Sequence, residues 1–588
     1  MNDSLEVKHK PEFSEGRLTM EYESKKSWWL QALQTGLIGG VVAVLVSLIG
    51  MVASFHERDI IAGQITMGQT VLLLIVIVFA YFSSRGTETT NVSNRLISGA
   101  LTGLVTASFI VGLILLGKAV NLREVLVNAS PALYKILTFE MENLTTAYIY
   151  LLLGGTVIGL LSAMIHLIPS VWRNAVINGL LLVLLIALLQ DLIRLILVPF
   201  PSITKALAWM FGTKGQEGLS VVGAITVFLI VTLVNLFSTA QGDNMRKRIQ
   251  SLPKGSQQGL RWITWIIIAA LLLIWPRVAG TYLSEVTNTV GLFILMGLGL
   301  NIVVGYAGLL DLGYVAFFAL GAYTMAVLTT TGGEITANFQ WTFWEALPVA
   351  IFMAVLAGVV LGIPVLRIRG DYLAIITLGF GEIIRIMFLS DFLKPHLGGS
   401  FGIVLIASPT FGNLSLNTPQ TLYYVILAGC MLALFVAYRL RDSRIGRAWK
   451  AIREDEDVAQ AMGINLTSTK LLAFATGAAF GGLSGAIFAA KLSTVYPHSF
   501  VLLVSINVLA LIIVGGMGSL PGVIVGALLL VGLPELLREF SEFRLLIYGA
   551  LLIAMMLNKP EGFIPEAVHL RELHEVEEED NVTQTAVA

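Results

Sequence analysis

Residues 147–168 read AYIYLLLGGTVIGLLSAMIHLI. The run carries no Asp, Glu, Lys or Arg, and as a helix it is long enough to cross the ~30 Å hydrocarbon core of a bilayer. Comparable runs recur from Trp28 to Leu557. Over the 588 residues, hydrophobic side chains make up 56% and charged ones 13%, against roughly 25% charged in an average globular protein. Soluble, secreted and disordered readings fail on those figures. The sequence predicts an all-α fold, a polytopic transmembrane helical bundle of about 14–16 membrane segments in two blocks.

Charge and cysteine usage exclude further classes. Lys plus Arg total 37 against 38 acids, so no bulk positive field points to nucleic acid. Cys430, the single cysteine, lies in an apolar stretch and reads as a small packed hydrophobe, with no intrachain disulfide. No G-x-x-x-x-G-K-[ST] loop, H-E-x-x-H helix or G-x-S-x-G elbow occurs, and the seven histidines lack metal-ligand spacing. The expectation is therefore no catalytic residue, no metal site and no directly bound cofactor.

Five regions follow along the chain. Residues 1–26 are polar, a predicted cytoplasmic N-terminus rather than a cleaved signal peptide. Residues 27–238 form a membrane extension of about six helices, with spans expected at 30–54, 60–82, 96–117, 147–168, 175–198 and 219–238. Residues 239–260, with Arg246, Lys247, Arg248 and Lys254 beside Pro253 and Gly255, read as a cytoplasmic linker. Residues 261–565 carry eight to ten further segments, and 566–588 form an acidic tail. Lys/Arg bias in the short loops puts both termini and the loop after Leu440 in the cytoplasm, with Lys118, Arg123 and Lys135 as exceptions in one opposite loop.

Charges inside apolar segments are costly and are placed for pairing or for function. Asp191 and Arg194 stand three apart on one helix face, as do Glu382 and Arg385, and each pair is expected to neutralise itself. Glu285, near a helix end, is expected to snorkel, and Asp311 follows a glycine-rich bend. Gly477, Gly481 and Gly485 recur every four residues, as do Gly518, Gly522 and Gly526, the pattern of helix packing faces. Two other stretches, NIVVGYAGLL at 301–310 and LGFGE at 378–382, place glycine in mid-segment, where freed backbone groups can line a path. The candidate translocation path is Asn301, Gly305, Tyr306, Gly308, Gly379, Gly381 and Glu382.

The loop 443–469 reads SRIGRAWKAIREDEDVAQAMGINLTST. Ile445, Ala448, Trp449 and Ile452 fall at helical spacing, flanked by Arg444, Arg447, Lys450 and Arg453. Glu454, Asp455 and Asp457 supply a turn and an N-cap, and a second short helix with Ala459 and Ala461 ends at Met462, before Gly463 in the C′ position. Such a helical pair is either a docking surface for another protein's groove or an interfacial helix on the lipid headgroups.

With that loop the chain resembles the LivM family, the permease subunits of branched-chain amino acid ABC transporters. The resemblance rests on NIVVGYAGLLDLGYVAFFALGAYT at 301–324, RGDYLAIITLGFGEIIRI at 369–386, GRAWKAIREDEDVAQAMGINLTSTKLLAF at 446–474, GGMGSLPG at 515–522 and LPELLREFSEFRLLIYGALLIAMMLNKPEGFIP at 533–565. It implies a bacterial inner-membrane permease whose loop 446–463 docks on an ATPase. Asp457 to Gly463 sits where related importers carry EAA-x-x-x-G, with Asp for Glu and Gln for the second Ala. The implied partners are a second, LivH-like permease, one or two ATP-binding subunits that use ATP and Mg, and an extracytoplasmic substrate-binding protein, all in the lipid bilayer's setting. Urea or a short amide is an alternative solute within the broader family, and an ion-driven secondary transporter is the alternative class. Residues 1–260 exceed the family core and read as a scaffold, a regulatory module or an unrelated activity.

Overall fold

The computed structural model describes residues 27–565 except 87–91, 140, 142, 199, 213–217, 251–253, 333–338, 366–367, 369–370, 413, 539–542 and 560. The polar N-terminus, the acidic tail, Arg367 and Arg369, and the side chains of the basic run Arg246–Arg248 lie outside the described residues. The chain separates into two compact units, Met1–Arg261 and Trp262–Ala588. Among the described residues, twelve helices are long and apolar enough to cross a membrane, with three shorter apolar helices beside them. The fold is the polytopic helical membrane bundle that the sequence predicts.

In the first unit, α1 (Trp28–Leu48) leads to a hairpin of β1 (Asp59–Ile61) and β2 (Ile65–Thr66), followed by α2 (Met67–Gly86) and α3 (Val92–Ala119). The short α4 (Pro131–Leu137) precedes α5 (Leu144–Met164), α6 (Ser170–Leu188), α7 (Gln190–Leu197) and α8 (Val221–Gln250). The expected span 60–82 starts late, at Met67, because Gly63 turns the chain with a φ of 67° and donates its N–H to Asp59 Oδ2 at 2.8 Å. The expected span 175–198 is split at Leu189, which leaves the helical region, so α7 is separate. The expected linker 239–260 is largely helical backbone, since α8 runs to Gln250 and the next helix begins at Lys254.

Two devices hold this unit together. Gly99 and Gly103 of α3 face Gly155 and Gly159 of α5, and a Cβ at any of the four would overlap an atom of the facing helix. With no water-driven force between helices in lipid, such close backbone approach is the main source of association. Beside it the buried Thr102 hydroxyl donates to Ser83 Oγ at 2.9 Å, and Ser83 bonds Ser98 Oγ at 2.8 Å. Small polar side chains there satisfy one another in a medium that offers no water.

The second unit begins within α9 (Lys254–Leu300), which a π-helical turn, Asn301–Tyr306, follows. Trp262–Tyr306 is apolar over 45 residues, about 68 Å as one helix and more than twice the bilayer core. Gly280, at φ 70° and ψ −169°, breaks it four residues after Pro276. There follow α10 (Val315–Thr329), α11 (Phe343–Val365), α12 (Asp371–Leu389), α13 (Pro419–Arg441), α14 (Arg444–Glu454) and α15 (Glu456–Ala461). The last helices are α16 (Leu466–Leu492), α17 (Leu502–Gly515), α18 (Leu520–Ala527) and α19 (Arg544–Asn558). The core centres on α16, whose Gly482 backbone lies against Gly321 of α10 and whose Gly485 lies against the Phe318 carbonyl.

Candidate functional site

The loop after α13 folds as two short capped helices. Ser443 caps α14, accepting the Gly446 N–H at 3.1 Å, and Asp455 caps α15, accepting from Asp457 N at 2.8 Å and Val458 N at 2.9 Å. Gly463 closes α15 with a φ of 86°. Its N–H reaches Gln460 O at 2.9 Å while Ile464 N reaches Ala459 O at 3.1 Å, the paired bonds of a Schellman motif. Both helix ends are therefore fixed. Just before the pair, the hydrogen bond from Arg441 holds the Asp442 carboxyl below its ordinary pKa.

The inner face of the pair is tied to the membrane helices. Trp449 is fully buried and donates its indole N–H to the Thr469 carbonyl at 2.9 Å, and Ile452 is buried beside it. Arg453 Nη1 donates to the Gly305 carbonyl at 2.7 Å, and Lys450 Nζ stands 5.9 Å above the Tyr306 ring. Gly308 lies so close to Arg453 that a Cβ there would meet its side chain at 2.9 Å. Glu456 Oε1 pairs at 2.6 Å with Nζ of Lys470, a lysine 2% exposed at the start of α16.

This geometry corrects part of the expected docking set. Trp449, Ile452 and Ala459 are buried and face the chain's own helices, so they anchor the pair and present nothing to a partner. Arg447, Arg453, Glu454, Asp455, Asp457, Ala461 and Gly463 are exposed, and Ala448 is half-buried. Sequence reasoning missed Val458 and Met462, 59% and 80% exposed, which stand four apart and make an apolar step on the outer face.

The candidate path residues divide in two. Asn301–Tyr306 departs from α-helix, and Gly308 then turns the chain at φ 69°. Asn301 Oδ1 accepts the Gly518 N–H at 2.9 Å, and Tyr306 is buried. Asp311 is wholly buried, its Oδ1 accepting the Gly313 N–H at 2.8 Å, while Oδ2 has no hydrogen-bond partner among the described residues. Gly379 and Gly381, by contrast, sit inside the uninterrupted α12 and free no backbone group. The expected helix opening at 378–382 is absent because the i→i−4 ladder runs through both glycines. Gly381 lies beside Gly313, where an added Cβ would stand 3.4 Å from the Gly313 Cα, an ordinary contact. Glu382 is bound by Arg385, whose Nε donates to both carboxylate oxygens at 3.0 Å.

The packing glycines also separate. Gly477 faces Val303 and the Gly299 carbonyl, Gly481 faces Phe317, and Gly485 faces Phe318 and Ala322. Gly522 and Gly526 stack on Gly515 and Leu511, but Gly518 belongs to the turn before α18 at φ 81°, off their shared face. Three charges take partners that the sequence did not assign. Glu285, still half exposed, pairs with Lys491 at 2.8 Å. Asp191 lies 3.9 Å from Arg58, while Arg194 donates to the Gly212 carbonyl at 3.2 Å, so these two do not neutralise each other.

The family model described as "Branched-chain amino acid transport system / permease component" matches residues 282–556. The chain is 41% identical to the high-affinity branched-chain amino acid transport system permease protein LivM of Escherichia coli K12 over 323 residues, 51% of this chain and 74% of that protein. The chain belongs to this family of transport permeases. Identity to LivH of Salmonella typhimurium is 25% over 310 residues, 48% of the permease and 95% of LivH. A probable LivM of Methanocaldococcus jannaschii is 22% identical over 330 residues, 47% of the permease and 91% of that relative. No solved structure matches the chain. The π-helical turn, the buried Asp311 and the α14–α15 pair all fall within the matched residues, so they belong to the permease core. The permease is a multi-pass membrane protein and a transport component.

Proposed function

We infer that the permease is the membrane subunit of an ATP-driven importer and forms part of the path for leucine, isoleucine and valine. Its relatives carry branched-chain amino acid transport in their names, and its likeness to both LivM and LivH supports a pair of permeases around one path. The α14–α15 pair docks an ATP-binding subunit in the cytoplasm, where ATP and Mg are consumed, and a binding protein delivers solute on the opposite face.

One observation carries the docking assignment. Val458 and Met462 are exposed on a helix fixed at both ends, while the other face of the pair is bonded to the broken segment 301–308 through Arg453. A rigid lever that is apolar outside and tied inside converts closure of a partner into movement of the path. The test is purification in mild detergent of the intact chain and of one with 446–463 replaced by a Gly/Ser linker. ATPase subunits that co-purify only with the intact chain support the assignment; ATPase retained without the loop overturns it. Uptake of the three amino acids, with urea as competitor, then reads the solute.

A further inference from the structure

The first unit contains a two-part cavity that the transport reading does not use. Its apolar part, about 300 Å³, lies among α2, α3 and α5 and is walled by Leu72, Val76, Ala107, Ile110 and Gly155. Its polar part, about 290 Å³, lies under the β1–β2 hairpin and is walled by His56, Asp59, Thr66 and Gln69. Gln64, Gln69, Ile136 and Phe139 border both parts, so the two adjoin. Phe139 at that border holds a φ of 53°, a conformation bulky residues rarely adopt. Along α2 the apolar wall runs from Gln69 to Val76, about 10 Å of depth into the membrane-spanning helices.

We propose that this cavity binds one lipid, with an acyl chain between α2, α3 and α5 and an ammonium-bearing head group under the hairpin. Together the two parts have the size of a small-molecule site, apolar at one end with a few placed polar groups at the other. The apolar part begins where α2 enters the span and deepens along it, which matches an acyl chain rather than a water-soluble solute. Asp59 gives the polar part a carboxylate, and among the described residues no Lys or Arg lines it, so a head group that carries an ammonium is favoured over one that does not. Gly154 marks the space: it lines the apolar part, and a Cβ added there meets nothing within 4 Å. Glycine at this position keeps the cavity open, unlike Gly155 next to it, which is required for packing against Gly103.

The experiment is native mass spectrometry of the delipidated full chain, titrated with phosphatidylethanolamine, with phosphatidylglycerol of the same chains, and with dodecanoate. One bound phosphatidylethanolamine is expected, with the other two at least tenfold weaker. Gly154→Phe should weaken binding at least tenfold, while Gly112→Phe, also in open space but outside the cavity, should leave it unchanged. Asp59→Asn should bring phosphatidylethanolamine and phosphatidylglycerol to equal affinity without altering the apolar walls. Equal lipid binding by the parent and Gly154→Phe overturns the site. Dodecanoate bound as tightly as the phospholipid, or phosphatidylglycerol preferred, overturns the head-group assignment.

Discussion

Arg453 Nη1 and the Gly305 carbonyl, 2.7 Å apart, join the two features that set this permease core apart from a plain helical bundle. In the π-helical turn Leu309 N reaches back to Val303 O and Gly308 N to Val304 O, and the positive φ of Gly308 then carries the chain away. The Gly305 carbonyl is among the orphans every helix end leaves. Arg453 of α14 supplies its donor, which bonds α14 directly to the segment preceding Asp311.

Arg453→Met should therefore uncouple the importer while leaving it assembled. A hydrogen bond to a charged group contributes about 1.5–3 kcal/mol, so uptake should fall on the order of tenfold. ATPase co-purification should persist, because the exposed Val458–Met462 face is untouched. Uptake and solute-stimulated hydrolysis measured together in proteoliposomes check this. Parent-level values of both would show that the bond transmits nothing.

Gly463 offers a cleaner test of backbone chemistry than of packing. A Cβ there meets nothing within 4 Å, yet the φ of 86° is unfavourable for any residue with a side chain. Gly463→Val should cost about 1–2 kcal/mol and loosen the end of α15, whereas Gly463→Asn should be nearly neutral. Membrane insertion should be equal for both, and uptake should fall for valine only. Equal uptake would mean the Schellman closure is dispensable.

Lys470 and Glu456 form a pair whose two halves depend on each other. The lysine is buried to 2% exposure, so losing its carboxylate strands a charge. Glu456→Gln should destabilise the second unit by about 3–5 kcal/mol, and adding Lys470→Met should return much of it, because a buried pair replaced by apolar groups is often neutral. Thermal unfolding of the parent, both single variants and the double variant measures the coupling. Additive effects would place the Lys470 charge in contact with water.

Much of this molecule was legible because its strongest signals are local. Span hydrophobicity, the Asp455 cap and the Gly463 terminator each depend on a few neighbouring residues, and each stands as read. What failed depended on distant partners. The LGFGE glycines looked like a helix opening, but an α-helix tolerates glycine and this one runs on unbroken, with Gly381 beside Gly313, distant in sequence. Trp449 looked like a docking anchor, since periodicity marks an apolar face without saying what covers it; its indole turns inward to Thr469. Glu285 and Lys491 are far apart in sequence, and no spacing rule links them. In the first unit the G-x-x-x-G pairs at Gly99–Gly103 and Gly155–Gly159 were present in the sequence and overlooked.

Those pairs bear on whether the two units are separable. Every residue of the large core cluster in the second unit comes from Val286 onward, and the family match begins at residue 282. The first unit has its own cluster, built on Ala43, Ile114 and Leu133. Deleting 1–260 should leave a chain that inserts and still co-purifies the ATPase, while Gly103→Leu in the full chain should disrupt only the α3–α5 crossing. Protease protection and the mild-detergent purification read both outcomes. Loss of the second unit's protection in the truncated chain would make residues 1–260 part of the permease scaffold, because a core complete in itself does not need a neighbour to fold.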